Sequence, residues 1–79
     1  MSEQIKCYIL ISTEVGREYE VASSIKRNFG DKIDEVVITY GLYDIVVRLV
    51  SPNLRMIDEV VTGIRALPGV KETVTLIGA

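Results

Sequence analysis

The segment Ile33–Val50, IDEVVITYGLYDIVVRLV, decides the fold. It holds two β-branched runs, Ile33 to Tyr40 and Leu42 to Val50, in which Val36, Ile38 and Tyr40 alternate against Val37 and Thr39 as a strand requires. Only Gly41 separates the runs cleanly. A parallel partner would need a crossover of about a dozen residues, so a break this short forces an antiparallel hairpin. Upstream, Ile5 to Ser12 reads as another strand, with Ile5, Cys7, Ile9 and Ile11 on one face and Lys6, Tyr8, Leu10 and Ser12 on the other.

Between that strand and the hairpin a helix is expected to open near Gly16. Glu18 and Glu20 stand early and Lys26 and Arg27 late, as the helix dipole favours. Val21, Ala22, Ile25 and Phe29 recur at helical spacing, and Gly30 stops the pattern. After the hairpin, Ser51 reads as an N-cap with Pro52 at the first helical position. Leu54, Ile57, Val61 and Ile64 then draw the apolar stripe of a second helix, which Leu67-Pro68-Gly69 ends. Val70 to Ile77 is the last strand. The order is β-α-β-β-α-β in two similar halves, an α+β, ferredoxin-like arrangement with a four-stranded antiparallel sheet. Right-handed crossovers put strands one and three in the middle and both helices on one face.

The chain has 79 residues, enough for a single domain spanning 1–79, and its 48% apolar content is that of a folded protein. Nine Lys and Arg against eleven Asp and Glu give a net charge of −2. No basic run exceeds Lys26-Arg27, which argues against direct nucleic-acid binding. A lone cysteine, Cys7, excludes an internal disulfide and fits a reducing compartment. The polar start Met1-Ser2-Glu3-Gln4 does not read as a signal peptide. Cys7 to Thr13, the longest uncharged stretch, is far short of the roughly 20 residues a membrane span needs. A cytoplasmic protein with no membrane partner is expected.

If the more apolar alternate set faces the helices (Ile5, Cys7, Ile9, Ile11, Val36, Ile38, Ile45, Val47, Leu49, Val74 and Leu76), the opposite face should look like solvent. It does not. Tyr8, Leu10, Val37, Val46 and Ile77 fall there, among Lys6, Thr39, Asp44, Arg48, Thr73 and Thr75. A contiguous apolar patch of this kind marks an interface, and at ~25 cal/mol per Å² its burial is stability a small domain can hardly forgo. The expectation is an isologous dimer packed sheet to sheet through Tyr8, Leu10, Val37, Val46, Arg48 and Ile77. The plainer alternative is that a one-sided sheet tolerates a few exposed Val and Leu side chains.

Catalytic chemistry finds little to work with. Without histidine, Ser-His-Asp and Cys-His arrangements are impossible and the commonest metal ligand is missing, so no metal or cofactor is expected. Cys7 reads as a small buried hydrophobe. The adjacent pairs Asp34-Glu35 and Asp58-Glu59 read as solvated faces. Ser12–Arg17 has one glycine and an acid, a poor phosphate loop; there is no Cys-x-x-Cys, and Ile45–Leu49 offers no aromatic on which a base could stack. There remains Tyr40-Gly41-Leu42-Tyr43-Asp44. Its plain reading is a turn, with Gly41 supplying a positive φ and Asp44 a polar strand start. Its functional reading is a site for a free amino acid: turn N–H groups hold a carboxylate, the aspartate pairs with an ammonium, and Thr hydroxyls on a neighbouring strand complete the ring.

The element order, the Gly41-Leu42-Tyr43-Asp44 match to a Gly-x-Tyr-Asp signature, the Leu67-Pro68-Gly69-Val70 helix exit and the Thr73-Val74-Thr75-Leu76-Ile77 ending together resemble the effector (RAM) domain of the Lrp/AsnC transcriptional regulators. The resemblance covers about residues 5 to 77. It implies a non-enzymatic amino-acid sensor whose dimers assemble into rings, often octamers, with a free amino acid or related metabolite held between dimers. Carried over by residue, the ligand-binding positions are Gly41, Leu42, Tyr43 and Asp44, with Thr73 and Thr75 on the last strand and Thr39 beside them. Family regulators begin with a helix-turn-helix, and none is expected in these 79 residues; the chain resembles the stand-alone effector modules, and mixed oligomers with full-length regulators are implied in place of direct operator binding. The alternative from another class is a small dimeric α+β-barrel enzyme acting on a compact metabolite, with Asp44, Tyr8 and Tyr43 as its only candidate groups.

Overall fold

A computed structural model describes residues 4–78; the polar start at Met1-Ser2-Glu3 lies outside them. The elements are β1 (Ile5–Thr13), α1 (Glu18–Phe29), β2 (Glu35–Ile38), β3 (Ile45–Ser51), α2 (Leu54–Arg65) and β4 (Val70–Ile77). The sheet runs β2-β3-β1-β4 with every pair antiparallel. This is the ferredoxin-like order, with strands one and three at the centre as the crossover rule requires.

Alternation decides what is buried. Cys7, Ile9 and Ile11 of β1 lie in register with Leu49, Val47 and Ile45 of β3, and all six are fully buried. Above them sit Val21, Ala22 and Ile25 of α1 and Ile57, Val60 and Ile64 of α2. Each of the two central strands and each helix therefore gives three side chains to the core, so the chain's two halves build it equally. The edge strands contribute only the half-buried Val36, Ile38 and Val70.

Several local expectations shift. The expected strands 33–40 and 42–50 shorten to β2 and β3, because Thr39 and Asp44 close a wider loop than Gly41 alone would make. β3 runs through Ser51, which is buried: its hydroxyl donates to the Asn53 carbonyl (2.6 Å) and accepts from the Asn53 N–H (3.2 Å). With Ser51 so engaged, Asn53 is the N-cap of α2, its Oδ1 accepting from the Met56 N–H at 2.9 Å. The buried stripe of α2 is accordingly Ile57, Val60 and Ile64, while Leu54 is exposed.

The larger correction concerns β4. Cys7 pairs with Ile77, Ile9 with Thr75 and Ile11 with Thr73, whereas Tyr8 pairs with Leu76 and Leu10 with Val74. Opposed residues share a face, so Thr73, Thr75 and Ile77 lie on the helix side and Val74 and Leu76 on the open side. Ile77 therefore leaves the expected interface set. Apolarity misleads here because β4 is an edge strand: its helix-side row stays largely exposed beyond α2, so polar threonines are tolerated there.

At Gly63 of α2 an added Cβ would overlap the ring of Phe29 at the end of α1. The glycine thus lets the two helices approach. Gly63→Ala should lose about 1–3 kcal/mol in urea unfolding from overpacking, outweighing the ~1 kcal/mol that alanine gains in helix propensity. In a Phe29→Leu background the same change should cost less; an equal cost there would remove the ring from the explanation.

Candidate functional site

The loop between β2 and β3 is closed twice. The Thr39 N–H donates to the Asp44 carbonyl at 2.9 Å and the Thr39 hydroxyl donates to the Tyr43 carbonyl at 2.8 Å. Gly41 takes a φ of 129° inside this loop, a value that side-chain-bearing residues rarely adopt. Tyr40 and Leu42 consequently project into solvent, at 101% and 80% exposure.

Asp44 ties the loop to the centre of the sheet. Its N–H donates to the Ile11 carbonyl (2.8 Å), and its Oδ2 accepts from the Thr13 N–H (2.8 Å) and the Thr13 hydroxyl (3.3 Å). Thr13 is buried and lies where the β1–β4 register shifts, between Ser12 and Thr13, so its N–H needs a partner from elsewhere. The carboxylate supplies it. One oxygen of Asp44 is thus structural, and Oδ1 has no hydrogen-bond partner among the described residues.

Thr73 and Thr75 stand elsewhere. With Val61 and Arg65 of α2 and Val70, Lys71 and Glu72 of β4, they line a groove of about 490 Å³ along the outer edge of the sheet. None of Thr39, Gly41, Leu42, Tyr43 or Asp44 lines it. β1 runs between β3 and β4, so the loop and the threonines flank a central strand and enclose no common cavity within one chain. Sequence reading missed Val61, Arg65, Val70, Lys71 and Glu72 here. The available signal was the helical spacing of Val61 and Arg65, which places both on one side of α2.

The open face gathers Tyr8, Leu10, Val37, Val46 and Arg48. Leu10 and Val37 both pair with Val46, and Tyr8 and Glu35 both pair with Arg48. Val74 and Leu76 extend it, 36% and 48% exposed. Arg48 lies 3.9 Å from Asp34 and 4.0 Å from Glu35, a loose, exposed pairing of little energy. Arg17 bridges Glu14 and Glu20 at 2.6 Å each. Hydrogen bonds to Glu20 and Glu14 raise its pKa, and the same contact lowers that of Glu20. Cys7 is fully buried, and burial pushes its thiol pKa up.

Among known proteins, the chain is 36% identical over 70 residues to the HTH-type transcriptional regulator FL11 of Pyrococcus abyssi; the match covers 89% of this chain and 45% of FL11. The chain thus spans about half the length of the curated relatives it matches. The crystal structure of TTHA0845 from Thermus thermophilus superposes with a TM-score of 0.86 at 30% identity, covering 95% of this chain and 92% of that one. At lower identity the fold is shared with AsnC of E. coli (23%, TM-score 0.78, 94% of this chain and 50% of that one). It is also shared with a Neisseria meningitidis transcriptional regulator in complex with L-Met (12%, TM-score 0.78, 95% and 49%). No family model matches the chain.

Asp44→Ala leaves the buried Thr13 N–H unpaired and should lower unfolding stability by about 1–3 kcal/mol. Asp44→Asn, which keeps an acceptor oxygen, should lose less. Equal stability of Asp44→Ala and wild type in urea titrations would show that the contact to Thr13 is dispensable.

Proposed function

Because this chain belongs to the Lrp/AsnC family of transcriptional regulators, we propose that it is an effector-responsive module that binds a free amino acid or related metabolite between copies of itself and signals by changing its assembly. The observation that carries this reading is the uncovered side of the sheet, where Tyr8, Leu10, Val37, Val46, Val74 and Leu76 form one apolar field around Arg48. Such a field is buried best against its own two-fold copy, in which every strand meets an equally apolar strand.

The separation of the polar residues points the same way. Thr39, Gly41, Leu42, Tyr43 and Asp44 lie on one side of β1, and Thr73 and Thr75 on the other. A small molecule touching both sets is one held between chains, completed only when they assemble. A ligand of that kind favours the assembled state by its differential affinity, which is all that transmission requires. The N. meningitidis regulator of this fold, seen with L-Met, supports an amino acid as the ligand class. The dimer extends to a ring of dimers, an octamer in the family pattern, and mixes with full-length regulators to reach an operator it does not contact itself. The work is cytoplasmic; no described helix is long and apolar enough to cross a membrane. The relatives carrying this reading are transcriptional regulators, so the small-barrel enzyme alternative is not favoured.

Calorimetric titration with each of the twenty amino acids, followed by light scattering, tests the proposal. At least one should release or absorb heat saturably and change the mean particle mass. No heat and no mass change with any of the twenty would contradict it.

A further inference from the structure

The groove between α2 and β4 has a charge pattern that the sensor reading does not use. It is net positive, with Arg65 and Lys71 against Glu72, on a chain whose net charge is −2. Arg17 spends its charge on Glu14 and Glu20, and Arg48 lies beside Asp34 and Glu35. Among the described residues Arg65, Lys71 and Glu72 have no ion-pair partner, and the hydroxyls of Thr73 and Thr75 make no hydrogen bond. Two cations and two idle hydroxyls therefore line one concavity, while Glu72, paired with Ser12, belongs to the open-face parity and meets the groove at its rim. Its volume of about 490 Å³ lies within the roughly 300–1,000 Å³ usual for small-molecule sites.

The set is the charge complement of one ligand class. We propose that this groove selects an acidic amino acid, aspartate or glutamate, through its two carboxylates, with Arg65 and Lys71 each taking one and Thr73 and Thr75 donating to the remaining carboxylate oxygens. Val61 and Val70, both half-buried, offer apolar surface to the ligand's methylene carbons. The guanidinium matches a carboxylate in two parallel bonds, which makes Arg65 the stronger anchor, and Lys71 acts as a point charge. A neutral isostere such as glutamine keeps the shape and one carboxylate but leaves one cation unmatched. A basic amino acid also sets like charges against each other, the repulsive half of specificity.

This inference rests on the sensor reading for its ligand family, and the experiment separates the two. Calorimetric titration of the whole chain uses L-glutamate, L-aspartate, L-glutamine, L-lysine and succinate, at fixed salt, on wild type, Arg65→Gln and Lys71→Gln. Arg65 and Lys71 are exposed, so both variants should fold, which unchanged thermal midpoints confirm. Wild type should bind glutamate or aspartate at least about tenfold more tightly than glutamine, and Arg65→Gln should erase that preference. Should another amino acid bind equally to wild type and both variants, the groove assignment is overturned and the sensor reading stands. Binding of succinate with none of the four amino acids bound would overturn the selection of an amino acid by this groove, and the full set of twenty then decides the sensor reading. If none of the five ligands binds wild type, the groove assignment is likewise overturned, and the full set of twenty amino acids then decides the sensor reading by itself.

Discussion

Two helices cover one face of a four-stranded sheet and none of the described residues covers the other; this asymmetry governs the rest of the structure. Burial of Cys7, Ile9 and Ile11 against Ile45, Val47 and Leu49 fixes the parity of the central strands, each large aliphatic side chain contributing about 1.5–3 kcal/mol. Once that parity is set, Tyr8, Leu10, Val46 and Arg48 must point the other way, since a one-residue slip would turn the core into solvent. The open face is thus a forced consequence of the core. Its apolar character is not forced, and a monomer would gain from polar residues at those positions.

The second constraint is the clasp between the hairpin and β1. The backbone of Asp44 and one carboxylate oxygen bind Ile11 and Thr13, which lock the loop bearing Gly41 to the strand that also carries β4. A loop held this way presents Tyr40 and Leu42 outward from a rigid base. Loop and groove both adjoin β1, one on each side.

Most of the architecture was legible because its signals were local. The hairpin followed from the short break at Gly41, the helices from the spacing of Val21, Ala22 and Ile25 and of Ile57 and Ile64, and the element order from these together. The face of β4 was not legible. Thr73, Thr75 and Ile77 share one parity and Val74 and Leu76 the other, and apolarity alone prefers the wrong side at an uncovered edge; only the register to β1 settles it. The N-cap at Asn53 was hidden by Ser51, a good capping residue already occupied in the turn. At the site, the hairpin residues were found through a resemblance, but the role of Asp44 toward Thr13 needed long-range geometry, 31 residues apart in sequence. Arg65 and Lys71 stayed unseen because they come from different elements that only the fold places side by side.

Closure of the open face by a second copy is the central requirement of this fold. Sedimentation equilibrium of the wild-type chain, diluted through the micromolar range, measures this directly. A mass of twice the 8.8 kDa protomer or a multiple of it, held on dilution, is the predicted result. A well-behaved monomer across that range would leave the apolar face without a function and contradict the account.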